Sequence, residues 1–393
     1  MRHTFLPFSP PALGEEEIAE VVDTLRSDWI TTGPKTARFE REVRDYLGAP
    51  AALAVSSATD GMLVALAALG VKPGGEVITT TMTFCSTVHV IEHLGARPVL
   101  VDVEPDTLCI DPSAVEAAVT PRTVGILPVH VYGHPCEMDA LLDIARARGL
   151  FVLEDAAHAF PARYKGRMVG TIGTATVLSF YATKNITTAE GGMVLGGEGL
   201  VADARLWSLH GMSRDAYKRY SAEGSWFYEV VLPGFKCNMT DLQASLGLRQ
   251  LEKLAGFQRR RREVVDAYNR AFGALDELQT PAERAAVEPA LHIYPLRLNL
   301  ERLAIDRRRF IEELKARNIG ASVHFIPNHL HPYYRDRYGF RPGDFPVAYE
   351  QYQRLVSLPL HPRLSDEDVH DVIEAVTGVV KRFACVTAGR GIP

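Results

Sequence analysis

The chain has few cysteines, and none of them are paired in sequence. Five cysteines are scattered over 393 residues, and no two form a C-x-x-C motif: Cys85, Cys109, Cys136, Cys237 and Cys385. An odd number at such spacing indicates neither a disulfide framework nor a zinc knuckle. The cysteine usage therefore favours a reducing cytoplasm.

Long hydrophobic runs and excess positive charge are also missing. No segment approaches the about 18 uncharged apolar residues of a membrane span, and the N-terminal sequence MRHTFLPFSPPALGEEE lacks the apolar core of a signal peptide. We therefore expect a cytoplasmic protein with no membrane partner. The formal net charge of −5 gives no electrostatic basis for binding nucleic acid.

What is present is the composition of a large globular enzyme. The chain is 47% hydrophobic and 23% charged, which is ordinary for globular proteins. Its 393 residues exceed the roughly 250 to 300 at which one hydrophobic core stops growing. We expect a large domain at residues 1–250, including the N-terminal segment, and a small C-terminal domain at 251–393.

Between residues 50 and 200, apolar strand-like runs alternate with amphipathic helical stretches. EVITTT precedes STVHVIEHLG, for example, and RPVLVDV precedes PSAVEAAV. This alternation predicts a mostly parallel sheet with helical crossovers, and such folds bind ligands beyond the carboxyl ends of their strands. A long helix is predicted at 242–272, where the four arginines 259–262 indicate a solvated face.

One lysine has an unusual setting. Lys184 lies in SFYATKNITTAEGG, a small polar loop between TATVLSF and MVLGG, which are predicted to be buried strands. A surface lysine more often lies on an amphipathic helix among other charges. The loop alone does not distinguish a reactive lysine from an ordinary structural one.

Three other features suit a lysine that binds pyridoxal phosphate (PLP). Such a site needs a carboxylate for the pyridine nitrogen, an anion site for the phosphate and a flat surface against the ring. Asp155 ends the strand LFVLED, Ser57 and Thr59 open a helix in SSATDG, and Phe84 follows another strand. Each has an ordinary alternative, since Asp and Ser are favoured helix caps and a lone Phe is usually a core residue.

With these motifs, the chain resembles the DegT/DnrJ/EryC1/StrS family of PLP-dependent nucleotide-sugar aminotransferases. The resemblance runs nearly end to end and includes TTGPKTARFEREVRDYLG, VHVYGHPCEMD, LEDAAHA, GFKCNMTDLQAS and ASVHFIPNHLHPYY. It implies PLP fold type I, the aspartate aminotransferase architecture. That is an α/β fold with a mostly parallel mixed seven-stranded sheet in the large domain and a smaller α/β C-terminal domain. It also implies a homodimer with shared active sites.

The resemblance also implies residue roles. Lys184 would be the Schiff-base lysine and proton carrier, and Asp155 the partner of the pyridine nitrogen. The other implied cofactor contacts are Ser57, Ala58, Thr59, Phe84, His158 and Ser179, with Asn238 reaching the phosphate in the neighbouring subunit. The implied substrate contacts are Thr32, Tyr217, His324 and His329, although the two histidines could equally form hydrogen bonds within the small lobe.

The LEDAAHA and TKNITTAEGG motifs most resemble the ArnB/PseC/PglE-like subgroup, which acts at carbon 4 of UDP-linked 4-keto sugars. The expected reaction moves an amino group from L-glutamate to carbon 4 of a nucleotide-linked 4-keto-6-deoxy sugar, with UDP as the expected nucleotide. Amination of carbon 3 or of an inositol-type ketone is an alternative, as is a non-catalytic PLP-binding regulatory protein. Lys184 argues against the family's dehydratases, which carry histidine there.

Two other patterns are weaker. Residues 89–93 spell H-x-x-E-H, a zinc pattern, but it is short and often arises by chance, so no metal site is expected. Residues 197–202 form G-x-G-x-x-A without the acidic residue that a dinucleotide site needs about 20 positions later. A nicotinamide oxidoreductase is therefore not favoured.

Overall fold

A seven-stranded sheet forms the centre of the computed structural model, which describes residues 2–212 and 227–385. The strands of the described chain are β1 (Ala51–Val55), β2 (Glu76–Thr80), β3 (Arg97–Val101), β4 (Thr123–Leu127), β5 (Phe151–Asp155), β6 (Arg163–Tyr164), β7 (Arg167–Met168), β8 (Ala175–Ser179), β9 (Gly192–Gly196), β10 (Leu278–Gln279), β11 (Val287–Glu288), β12 (Tyr294–Leu298) and β13 (Leu355–Leu358). The order in the large sheet is β1-β9-β8-β5-β4-β2-β3.

Most neighbours in this sheet run parallel. The pairs β2/β3, β2/β4, β4/β5 and β5/β8 are parallel, whereas β9 is antiparallel to both β8 and β1. The predicted mostly parallel mixed sheet is confirmed. Because Ser179 pairs with Gly192, the lysine loop joins two adjacent antiparallel strands, and both its ends lie at the carboxyl edge of the parallel strands.

Helices cover the sheet and build the second lobe. Their bounds are α1 (Glu15–Arg26), α2 (Pro34–Leu47), α3 (Ala58–Ala68), α4 (Ser86–His93), α5 (Pro112–Ala118), α6 (Met138–Arg148), α7 (Glu198–Ser208), α8 (Asp241–Phe272), α9 (Arg307–Ala316), α10 (Pro332–Tyr338), α11 (Pro346–Arg354) and α12 (Asp366–Phe383). Of the helices in the described ranges, none is both long and apolar enough to cross a membrane.

Close packing holds α3 against the sheet, and a glycine makes this possible. A Cβ added at Gly61 would come within 2.8 Å of Val177 Cγ1 and 3.2 Å of Val55 Cγ2. Real side chains do not approach so closely in a well-packed core. The first turn of α3 is therefore held at the carboxyl ends of β1 and β8.

The second lobe packs around a smaller sheet, with strand order β10-β12-β13. Its apolar cluster includes Tyr268 of α8, Leu296 of β12 and, from the N-terminus, Leu6. The Leu6 N–H also donates to the Asn318 carbonyl at 2.8 Å. The start of the chain thus packs on the small lobe, and the predicted boundary at residue 250 falls inside the continuous helix α8.

The four arginines of α8 do not all lie on a solvated face. Arg261 is 1% exposed, and its Nη1 donates to the carbonyls of Leu291 and His292, both at 3.2 Å, and of Leu360 at 2.8 Å. The arginines on either side of it form surface ion pairs with glutamates. The prediction is therefore wrong for Arg261, because α8 continues beneath the second lobe and buries that side chain.

Candidate active site

A cavity of about 600 Å³ opens at the carboxyl edge of the large sheet. Asp155 and Ser179, which end β5 and β8, line it together with Lys184. The second lobe contributes His292 and His324. The parallel strands thus bring the predicted polar residues to one place, as the strand pattern indicated.

Lys184 has an amine whose proton is held weakly. Its backbone N–H donates to the Tyr181 carbonyl at 2.9 Å, closing a turn inside the loop. Removal from water lowers the pKa of the amine from 10.5 to about 8, although the negative charge of Asp155 acts in the opposite direction. A large fraction of Lys184 is therefore neutral at mildly alkaline pH.

Asp155 is a buried carboxylate with fixed partners. It accepts hydrogen bonds from Thr87 Oγ1 at 2.8 Å and from the Ala157 N–H at 3.1 Å. Burial raises the pKa of the carboxyl, whereas these two donors and Lys184 lower it. Residues 156–160, directly after β5, are not helical, so the helix-cap alternative does not apply to Asp155.

The start of α3 lies against the cavity, and the alternative of a helix cap holds for Ser57. Ser57 Oγ accepts from the Asp60 N–H at 3.0 Å and donates to the Asp60 carboxylate at 2.9 Å. Ser57 is thus a helix cap. The N–H groups of Ala58 and Thr59, in the first helical turn, have no acceptor within the helix, and both residues line the cavity. They can bind an anion there.

An aromatic side chain stands at the rim. Phe84 is 58% exposed and its ring centroid lies 6.1 Å from that of Phe325. The loop that carries Phe84 is held by Asn328, whose Nδ2 donates to the carbonyls of Thr83 at 2.8 Å and Thr81 at 3.2 Å. The second lobe thus holds the loop that carries Phe84, which is not a core residue.

Three histidines share the cavity wall. The rings of His158 and His292 lie 4.5 Å apart, and His324 stacks on Phe8 at 5.2 Å. Burial lowers the pKa of His158 and His292 well below 6.5 and that of His324 to about 4. All three imidazoles are therefore neutral near pH 7.

The structure does not bring His329 to this cavity. Its side chain is fully buried, its Nδ1 lies 2.7 Å from Thr81 Oγ1, and its ring packs on Phe345. Burial lowers the pKa of His329 to about 4. The alternative of a hydrogen bond within the small lobe applies to His324, whose Nδ1 lies 3.0 Å from Ser357 Oγ. The bond of His329 instead joins the second lobe to the loop after β2, and His329 does not line the cavity.

Thr32 and Asn238 form a pair outside the cavity. Asn238 Nδ2 donates to Thr32 Oγ1 at 2.6 Å, and Thr32 donates to the Met239 carbonyl. Asn238 also bridges the end of β1 at Val55. The remaining substrate candidate, Tyr217, lies outside the described residues.

Sequence reasoning missed three polar residues that organise the site. Asp241 accepts from the N–H groups of Gly33 and Thr36 at 2.9 and 2.8 Å and so fixes the TTGP loop. Asn185 and His292 contact each other at 3.1 Å. The sequence marked only Asn185 as a possible site residue, because it directly follows Lys184. His292 begins an apolar run that indicated only a strand.

The residues of the zinc pattern at 89–93 lie on α4 and contact other side chains. His89 stacks on Tyr334 at 5.8 Å, and Glu92 pairs with Arg337 at 2.9 Å. Within residues 2–212 and 227–385, no three metal-ligating side chains converge.

Relatives of known sequence and structure match almost the whole chain. The spore coat polysaccharide biosynthesis protein SpsC of Bacillus subtilis is 51% identical over 97% of this chain and 98% of its own. The putative sugar aminotransferase Spr1654 of Streptococcus pneumoniae, solved in PMP and PLP forms, has TM-scores of 0.91 and 0.90 at 38% and 37% identity over 96% of this chain and 99% of its own. Helicobacter pylori PseC, an aminotransferase involved in pseudoaminic acid biosynthesis, has a TM-score of 0.90 at 28% identity over 97% and 100%.

The fold, the cavity and these similarities define a PLP-dependent aminotransferase of fold type I. Residues 11–377 match the DegT/DnrJ/EryC1/StrS aminotransferase family. The chain belongs to that family, so the predicted family, fold class, enzyme class and cofactor are confirmed.

Proposed function

We propose that the chain is a sugar aminotransferase that moves an amino group from L-glutamate to carbon 4 of a nucleotide-linked 4-keto-6-deoxy sugar, with UDP as the nucleotide. One observation carries the proposal of catalysis: a weakly basic lysine amine and a buried carboxylate share a cavity of about 600 Å³. The sugar class is supported by the similarity to Spr1654 and PseC, and the choice of carbon 4 by the LEDAAHA and TKNITTAEGG motifs.

The residues present fit PLP. Asp155 would pair with the ring nitrogen, since a buried carboxylate stabilises a nearby positive charge. Ser179 and the N–H groups of Ala58 and Thr59 would hold the phosphate, and Phe84 would cover a face of the ring. When bound, PLP supplies an electron sink for a carbanion formed at the substrate carbon.

His158 would bind the ring oxygen of PLP as a hydrogen-bond donor. The Tyr132 N–H donates to His158 Nδ1 at 3.2 Å, so Nδ1 must be an acceptor. A neutral imidazole carries one proton, and in His158 that proton is therefore on Nε2. The tautomer suits an oxygen acceptor.

Lys184 Nζ would carry the protons of the reaction. A general base works best when its pKa lies near the working pH, and burial lowers that of Lys184 to about 8. In its neutral form Nζ can take the proton from the α-carbon of the amino donor. In the second half of the reaction it returns a proton to carbon 4 of the sugar.

We also propose a homodimer with shared active sites. Among the described residues that line the cavity, Lys184 is the only lysine or arginine, beside the acidic Asp155 and Glu190. A cofactor phosphate, together with either the two glutamate carboxylates or the sugar diphosphate, needs more positive charge than this wall supplies. Exposed apolar side chains such as Val230 and Val231 lie in the same segment as Asn238, which would enter the neighbouring site.

The free cysteines support a cytoplasmic location.

A substrate panel tests the reaction. UDP-, dTDP- and GDP-linked 4-keto sugars are each incubated with L-glutamate, and the products are identified by mass spectrometry. We expect a 4-amino sugar from the UDP substrate and none with Lys184→Ala. A product aminated at carbon 3, or from a keto-cyclitol, would replace the proposed substrate by another keto substrate. A visible PLP absorbance that persists after glutamate addition would instead indicate a non-catalytic binder.

Subunit mixing tests the shared site. Lys184→Ala and Asn238→Asp should each lose most activity, the second because its carboxylate would repel the phosphate. If Asn238 acts in the neighbouring site, a mixed dimer contains one intact site and activity reappears on mixing. Failure of mixed dimers to regain activity, with exchange shown by mass spectrometry, would contradict the shared site.

A further inference from the structure

His292 is a cavity residue without a role in the proposed mechanism. It lies two residues before β12, is 5% exposed and stands beside His158. No hydrogen bond joins the two rings within the described structure. Its ring is neutral because burial, followed by the nearby His158 and Lys184, lowers its pKa well below 6.5.

Asn185 fixes which nitrogen of His292 carries the proton. Asn185 Nδ2 lies 2.9 Å from the Phe160 carbonyl and 2.7 Å from the Ala290 carbonyl. Both are acceptors, so only the NH₂ end of the amide can face them. The amide oxygen then faces His292 Nδ1 at 3.1 Å. An amide oxygen only accepts, so Nδ1 bears the proton and Nε2 keeps its lone pair.

The lone pair of His292 Nε2 is available from the cavity. In the described part of the chain, Nε2 of His292 has no hydrogen-bond partner. Unlike Nε2 of His134 and of His329, which are buried without a partner, it keeps some accessible surface. His292 also lines the cavity. The neighbouring His158 has the opposite tautomer, so the wall offers one donor and one acceptor side by side.

The backbone of His292 is held as firmly as its ring. Arg261 Nη1 donates to its carbonyl at 3.2 Å, and its N–H donates to the Tyr132 carbonyl at 3.1 Å. The same Tyr132 donates its own N–H to His158. Because the backbone and the ring are both fixed before a ligand arrives, the acceptor is preorganised.

We propose that His292 is a substrate-binding residue whose Nε2 accepts a hydrogen bond from an N–H or O–H group of the bound substrate. The ammonium group of the amino donor and a hydroxyl of the keto sugar share this chemistry. The inference rests on the aminotransferase activity, and only its sugar arm rests on the proposed substrate.

The two half-reactions show whether the amino donor or the keto sugar provides the N–H or O–H group that binds His292. Stopped-flow absorbance of the cofactor gives an apparent Kd for glutamate in one half and for the keto sugar in the other. His292→Phe keeps a ring without an acceptor, and we expect roughly tenfold weaker binding of at least one substrate. His292→Gln can place an amide oxygen near the Nε2 position and should recover part of the loss. His89→Phe, outside the cavity, should change neither Kd.

Histidine ¹⁵N NMR of the apo-protein provides a readout independent of activity. The resonance missing in His292→Phe should show a protonated Nδ1, and Asn185→Ala should remove this preference. A protonated Nε2 in the wild type, or unchanged Kd values for both substrates in His292→Phe, would overturn the proposal. If the wild type converts no 4-keto sugar, the proposed substrate fails, but the NMR result and the glutamate arm still decide the role of His292.

Discussion

Replacing Lys184 with methionine should stabilise the apo-protein near neutral pH. The pKa of Lys184 falls from 10.5 to about 8 on burial, which corresponds to about 3 kcal/mol against the charged amine. Methionine has a similar length and no charge to bury. Asp155 loses a favourable neighbour in this variant, so we expect a net gain of about 1–3 kcal/mol in the free energy of unfolding at pH 7.

The sign of the pH dependence follows from proton binding. Lys184 binds its proton less tightly in the folded state than in the unfolded state, so the unfolded state carries more protons between pH 8 and 10.5. Wild-type stability should therefore rise with pH in that window, while the full penalty remains below pH 8. The advantage of Lys184→Met should shrink as the pH approaches 10.5.

Urea denaturation of the apo-proteins measures this difference. Unfolding is followed by tryptophan fluorescence at pH 7 and pH 9.5, at one protein concentration because the proposed dimerisation would add to apparent stability. Lys72→Met removes an exposed lysine and should leave stability within about 0.5 kcal/mol of wild type. Equal or lower stability of Lys184→Met at pH 7, or a gain that does not shrink at pH 9.5, would refute the reasoning.

Three further substitutions have defined outcomes. Asp155→Asn should keep PLP bound but slow the glutamate half-reaction by roughly 10² to 10³, and unchanged stopped-flow rates would contradict its pairing with the ring nitrogen. Gly192→Ala places a Cβ 2.7 Å from the backbone at the start of α3 and should cost about 1–3 kcal/mol and weaken PLP binding in fluorescence titration. Gly197→Ala, with open space around it, should do neither. Arg261→Met removes a buried charge, as Lys184→Met does, but it also leaves the carbonyls of Leu291, His292 and Leu360 without their donor. These lost hydrogen bonds should lower the free energy of unfolding by about 1–3 kcal/mol, whereas exposed Arg259→Met should not; equal urea midpoints would contradict this.

Much of the fold follows from local patterns. The apolar runs EVITTT and LFVLED became the strands Glu76–Thr80 and Phe151–Asp155, because a short buried strand is recognisable from its own residues. The helix from Asp241 to Phe272 is equally readable from its periodicity. The antiparallel direction of β9 is not, since strand direction depends on the partner against which it pairs.

The candidate site divides in the same way. Lys184 and Asp155 follow strands that end at one edge, so their convergence in the cavity could be predicted. Thr32 and Asn238 also contact each other, but outside the cavity of their own chain. A role in a neighbouring site would be set by contacts between chains, which the local sequence around these residues does not determine.

The sequence by itself determined the chemical groups available, a lysine in a polar loop and a carboxylate at a strand end. It also determined the family to which the chain belongs. Only the tertiary structure decided which similar residues take part. It turns His324 to the cavity and buries His329 against Phe345, and it hides Arg261 while its neighbours stay at the surface. It also gives Lys184 its weak proton affinity. Burial and hydrogen-bond partners come from segments far apart in the chain, and these contacts set the direction, charge and tautomer of each side chain.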